Sequence, residues 1–505
     1  MTHTQYSKSS FFITTMRYTK TPQMKLGEIP ISDIKIDLKS RDDIPPLLLG
    51  LQHIYTTPDL REAVFAILEE KILPDTDHQN GRPGMDLWKI LVLGVLRVNL
   101  NWDYDRLGEM ANNHKTIREM LGHGMFDKDY EYQLQTLKDN VSLLTPELVE
   151  KISQVVVQAG HDQVKKKDDE LRGRCDSFVV ETDVHYPTDI NLLFDAMRKV
   201  ITLIATLTAI CGLTEWRQSK HNIKTVKKLF RKAQKLKRST SKDAERKEQR
   251  ERIIIEAHQQ YLDVASVFLE RAKETLKEVN GGGIMAIALV LEIERYLAHA
   301  DRQIDQIRRR VIDGEKIPHG EKVFSIFEEH TEWISKGKAG VPVELGLRVC
   351  VLEDQHGFIL HHQVMQNETD DQVAVPMVKQ TKKYFPNLIS CSFDKGYHSP
   401  DNQKDLLDYL DFVVLPKKGK LSHKDHEKEY SEEFIRARYQ HSAIESAINA
   451  LEVHGLDRCL DHGIDGFKRY VALAVLGRNI QQLGVKLRQK ELDRQQREEK
   501  LKLAA

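Results

Sequence analysis

The sequence predicts an α/β protein: a mixed sheet with flanking helices, interrupted by a long helical insertion and preceded by an all-α N-terminal domain. Three observations predict it. β-compatible runs fall in two groups, one near residue 180 and one after residue 340. Helical periodicity fills the stretch between them, from Ile190 to about Arg310. A separate helical pattern, from Asp59 to Ala159, precedes both groups.

A chain of 505 residues has room for two to four domains. Its 76 basic and 76 acidic side chains balance, so the distribution of charge carries the information rather than its total. No apolar run reaches the roughly 20 residues that cross a bilayer, and Met1 to Lys20 lacks the apolar core of a secretory signal. A soluble, cytoplasmic, nucleoid-associated protein with no membrane partner is expected. Cys175, Cys211, Cys350, Cys391 and Cys459 show no C-x-x-C spacing, so they read as small core residues.

Residues 1–55 have little periodicity and are broken by Pro22, Pro30, Pro45 and Pro46, which predicts a flexible arm. Leu60, Val64, Ile67 and Leu68 then repeat at helix spacing, and an apolar helix follows Gly81-Arg82-Pro83. Two short helices, Tyr104 to Ala111 and Lys115 to Leu121, flank Asn112-Asn113-His114. That pattern is helix-turn-helix-like, and residues 56–165 are read as a helical DNA-binding domain. The charged run Lys165 to Glu170 ends it.

Phe178 to Asp183 reads as a strand ending on an aspartate. Thr188 and Asp189 can cap the next helix, whereas Asp183 has no such local job. Within the insertion, residues 190–319, Lys224, Lys227, Lys228, Arg231 and Lys232 belong to a basic stretch without an acid, which suits a phosphate backbone. Residues 345–352 and 358–364 form a hairpin around Gly357. A helix from about Asp370 leads to the strand Leu388 to Phe393, and a fifth strand, Phe412 to Leu415, ends before Lys417 and Lys418. Apart from the insertion, this is the element order of an RNase H-like fold, assigned to residues 174–189 and 320–485. Residues 486–505 are read as a charged tail.

Taken alone, Asp394-Lys395-Gly396 is a turn. Its partners change the reading: Asp183 ends an earlier strand, and Glu445 lies on a helical face with Arg438, His441, Asn449 and Glu452. Three such carboxylates hold two hard divalent cations about 4 Å apart, the arrangement of two-metal phosphoryl transfer. Mg²⁺ fits this donor set, with Mn²⁺ as a substitute, and no soft-metal spacing competes.

Residues 180–189, 330–338, 392–398 and 441–446 together resemble the blocks of DDE-type insertion-sequence transposases of the ISNCY-like group. The resemblance extends from Gly81-Arg82-Pro83 to Gly466-Phe467-Lys468-Arg469-Tyr470. It implies an endonuclease and polynucleotidyl transferase that cleaves transposon ends and joins 3′-hydroxyls to target DNA, working as a homodimer on DNA. The family's catalytic and metal-binding triad falls on Asp183, Asp394 and Glu445. Glu452 stands where related enzymes have a lysine, although Arg438, Tyr439 or His441 can meet a phosphate.

Lys336 and Lys338 read equally as a basic loop over DNA or a solvated turn. Lys395 and His398 either touch the scissile phosphate or shape their turn. Trp102, Trp216 and Trp333 suit core packing better than stacking on unpaired bases. Two rival readings are an RNase H-like nuclease that does not join ends, and a catalytically inactive DNA-binding or regulatory protein.

Overall fold

The strands follow the chain as β1 (Thr15–Met16), β2 (Arg82–Pro83), β3 (Leu171–Thr182), β4 (Glu332–Ser335), β5 (Val343–Glu353), β6 (Ile359–Val364), β7 (Leu388–Phe393), β8 (Phe412–Val414) and β9 (Arg458–Cys459). The computed structural model describes residues 15–16, 18–20, 24–72, 82–127, 129–164, 170–279, 283–335 and 342–504. Apart from the small β1–β2 pair, the strands build one mixed seven-stranded sheet, and most other described residues are helical. Antiparallel β6–β5 and β5–β3 pairs are followed by parallel β3–β7 and β7–β8 pairs. With β4 and β9 left aside, the strands of this sheet lie in the order third, second, first, fourth, fifth.

Local chemistry explains these connections. The β5–β6 hairpin turns at Gly357, at φ +86°, while Asp354 Oδ1 accepts the N–H groups of His356 and Phe358. Between β6 and β7, the helix Asp370–Tyr384 starts where Gln372 Oε1 accepts the Thr369 N–H. Between β7 and β8, Ser399 Oγ accepts the Asn402 N–H and Pro400 occupies the first helical turn.

The chain divides into two compact units, residues 1–183 with 346–505, and residues 184–345. In the first, the N-terminal helices share one hydrophobic core with the sheet instead of forming a separate domain. Buried His161, on the helix Pro146–Val164, meets buried Asp354 of the hairpin at 2.5 Å. Asn479, on the helix Gly463–Ala504, brackets the Ile359 backbone and also donates to Ser153 Oγ. One side chain thus ties an N-terminal helix, the sheet and the C-terminal helix together.

Two expectations at the chain ends are corrected. Residues 44–56 form a helix, Ile44–Thr56, with Leu47, Leu48, Leu51 and Ile54 buried, rather than the end of a flexible arm. Pro45 and Pro46 sit in its first turn, where their missing N–H groups cost nothing. The charged tail continues the helix Gly463–Ala504, and Arg488 donates to the carbonyls of Leu38 and Ser40. Helices Ile44–Thr56 and Gly463–Ala504 cross at glycines: a Cβ on Gly484 would stand 1.8 Å from the Pro46 carbonyl oxygen. Gly484→Ala is therefore expected to destabilise the unit by roughly 3 kcal/mol, read as a lower urea midpoint.

The second unit packs helices Asp189–Ile210, Ser219–Lys235, Ala244–Glu278 and Gly283–Ile307 around their own apolar core. Trp216 is buried in it and donates to Thr275 Oγ1. Thr188 caps the first helix, while Asp189 takes a bidentate pair with Arg310. Among the described residues, no helix is long and apolar enough to cross a membrane.

Candidate functional site

The parallel pairing of β3 with β7 sets the site. Cys175 lies opposite Phe393, so the next residues, Asp176 and Asp394, emerge side by side from neighbouring strands. Alternation turns Arg172, Arg174 and Asp176 to one face of β3, opposite buried Leu171 and Cys175. Glu445 reaches the same neighbourhood from the helix Ala443–Leu451, and Asp370 from the first turn of its helix. Burial, followed by repulsion from Asp394, Asp370 and Glu445, pushes the Asp176 carboxyl up to about 6.

Neighbouring hydrogen bonds hold this group in place. Ser177 donates its N–H to Asp176 Oδ1 and its hydroxyl to Asp370 Oδ1 at 2.6 Å. His441 Nδ1 lies 3.0 Å from Ser392 Oγ; burial lowers its pKa, opposed by the charges of Asp394 and Glu445. A groove of about 620 Å³ runs along the same two strands as far as Arg174 and Ser392, two residues before Asp176 and Asp394, and is lined by Arg172, Arg436, Glu170 and Glu433 as well. Arg172 and Arg436 give it cations, whereas Arg174 is held by Glu353 at 3.0 Å.

Asp183 is not part of this group. It follows Thr182, which pairs with Cys459 of β9, seven residues beyond Asp176 along the chain and roughly 23 Å away at strand rise. Its carboxylate is exposed, 3.6 Å from Arg458. The expected strand starts at Phe178, whereas β3 starts at Leu171, so the earlier aspartate, not the last, sits beside Asp394. The visible signal was the alternation Arg172, Arg174, Asp176.

The remaining predicted residues divide by position. Lys395 is exposed and His398 half-buried at the turn after Asp394, and Lys418 donates to the Gly396 carbonyl in that turn. Lys417 instead pairs with Asp425, which gives it a structural partner. The expected continuous helix is interrupted at Ser442: Arg438 and His441 lie on Glu432–His441, and Glu445 on the next helix. Arg438 is exposed. Lys224, Lys227, Lys228, Arg231 and Lys232 are exposed along Ser219–Lys235 of the second unit, with Lys232 donating to Gln260. Lys336 and Lys338 lie outside the described residues.

Among the described residues, no three Asp, Glu, His or Cys side chains form a ready-made metal cluster. The donor chemistry nonetheless fits a hard divalent cation: Asp176, Asp394 and Glu445 supply only carboxylate oxygens, and the repulsion felt by Asp176 is what a cation relieves. Comparison with protein-family models, curated proteins and solved structures finds no match for this chain.

Proposed function

We propose that this protein is a DDE-type DNA transposase with an RNase H-like catalytic domain, in which Asp176, Asp394 and Glu445 form the acidic centre. The observation that carries the reading is the placement of Asp176 and Asp394 immediately after the paired residues Cys175 and Phe393 of adjacent parallel strands, with Glu445 near enough to perturb Asp176. The strand order third, second, first, fourth, fifth supports the RNase H-like assignment. The resemblance at residues 392–398 and 441–446 supports the chemistry.

The three carboxylates would hold two Mg²⁺ ions, which in phosphoryl transfer supply activation of a water or 3′-hydroxyl and stabilisation of the leaving oxygen. Arg172 and Arg436 orient the strand by its phosphates along the groove. Lys395, at the turn after Asp394, adds positive charge at the scissile phosphate. Two ends have to be cut and joined together, so a homodimer on DNA supplies two centres.

The deciding experiment incubates the protein, Mg²⁺ and the DNA ends that flank its gene with a target duplex. Cleavage followed by joining of 3′-hydroxyl ends supports transposition. Nicks without joined product identify a nuclease, and no cutting at all identifies a binding protein. The exposed lysines of Ser219–Lys235 belong to the same proposal. Replacing Lys224, Lys228 and Arg231 by Ala is expected to flatten the slope of log K against log salt for duplex DNA by roughly 0.9 for each phosphate no longer neutralised. An unchanged slope removes that helix from the DNA interface.

A further inference from the structure

The helical unit contains a second cavity, of about 610 Å³, unrelated to the carboxylate centre. One wall is aromatic: Trp333 lies 5.6 Å from Phe324 and 5.7 Å from Tyr186 between ring centroids, and His319 lies 5.2 Å from Phe324. Gln303 lines its interior and is only 1% exposed, yet neither its Nε2 nor its Oε1 has a hydrogen-bond partner. Its neighbours are satisfied: Gln306 donates to the Glu321 carbonyl, and His258 Nδ1 meets the Ile254 carbonyl.

The charges at the opening have one sign to spare. Arg310 is neutralised by Asp189, and Glu321 is held by Arg309. Arg238 and Lys322 line the cavity, are exposed, and make no ion pair among the described residues. A buried carboxamide with both ends unpaired calls for a ligand that offers a donor and an acceptor side by side. The hydrogen-bonding edge of a nucleobase offers that pair, an aromatic wall stacks on its face, and two free cations suit a phosphate. The volume lies in the range of small-molecule sites.

We propose that this cavity is a nucleotide-binding site, in which Gln303 reads the edge of the base, Trp333 and Phe324 flank its face, and Arg238 and Lys322 hold its phosphate. The nucleotide comes either from a DNA strand, as a single unpaired residue, or from solution as a free mononucleotide. The proposal does not depend on the reaction at Asp176 and Asp394, so the two stand or fall separately.

The test uses the full-length chain with two kinds of probe. Equilibrium dialysis measures the four deoxynucleoside monophosphates and deoxyadenosine. Fluorescence titration compares a duplex carrying one unpaired 2-aminopurine with the same duplex fully paired. Saturable binding of a monophosphate assigns the free source, and preference for the unpaired duplex assigns the strand. In either case Gln303→Leu is expected to weaken binding by about tenfold or more, the discrimination that one bidentate base contact provides. Arg238→Ala with Lys322→Ala is expected to weaken phosphate-bearing probes and leave deoxyadenosine unchanged. That surface pair carries the test if Gln303→Leu disturbs the fold. Failure of both probe types to bind, or binding that the exposed pair does not alter, overturns the proposal.

Discussion

Asp176→Asn is expected to reduce Mg²⁺-dependent strand cleavage by more than about a hundredfold, whereas Asp183→Asn leaves it within a few-fold of the parent. Groups that only orient a metal ligand cost on the order of 10- to 100-fold when removed, so loss of a ligand should exceed that range. The substitution keeps the shape of the side chain and removes the carboxylate on which the charges of Asp394, Asp370 and Glu445 converge. The thermal midpoint should therefore hold or rise while activity falls, which separates loss of chemistry from loss of fold. The same assay on Asp394→Asn and Glu445→Gln should give similar losses. A chain that cleaves normally without the Asp176 carboxylate but not without that of Asp183 would refute the register argument and restore the sequence-based triad.

Asp461→Ala is expected to cost roughly 3 to 5 kcal/mol of stability, the range for breaking a buried ion pair from one side. Arg97, on the helix Leu87–Asn99, has a side chain 1% exposed and meets Asp461 Oδ1 at 2.7 Å. Its guanidinium also lies 3.8 Å from the centre of the Tyr104 ring. Without the carboxylate, a charge remains buried against the ring faces of Tyr104 and Tyr470, and Arg469, which shares Asp461, loses that partner too. Urea unfolding should show the loss in a single transition, because both partners belong to one core. Asp461→Asn keeps a hydrogen-bond acceptor and should cost less. A full-size loss confined to one early transition would mean that the N-terminal helices fold on their own.

Much of the fold was legible where periodicity was strong. The hairpin around Gly357, the strand before Asp394 and the helices after Asp189 all follow from local pattern and turn chemistry. Ile44–Thr56 was hidden because prolines usually break helices, and only their place in the first turn makes them compatible with one. The sharing of one core by the N-terminal helices and the sheet rests on long-range contacts such as Asn479 to Ile359, which carry no local signature. Of the candidate site, Asp394 and Glu445 were legible, since one ends an apolar strand and the other rides a helix beside it. Asp176 was not, because the pairing register of two strands far apart in sequence decides which aspartate faces Asp394.

The antiparallel register of β3 and β5 bears on how this chain is assembled. Glu181 stands opposite Gly346, three residues before the helical unit begins and one residue after it ends. A Cβ at position 346 would lie 2.0 Å from the Val180 carbonyl oxygen, so only glycine permits that approach. Two residues far apart in the chain, one on either side of the helical unit, are thus direct cross-strand neighbours. The register that Gly346 fixes runs back along β3 to Asp176, which stands opposite Val351, so one glycine helps to set which aspartate reaches the candidate site.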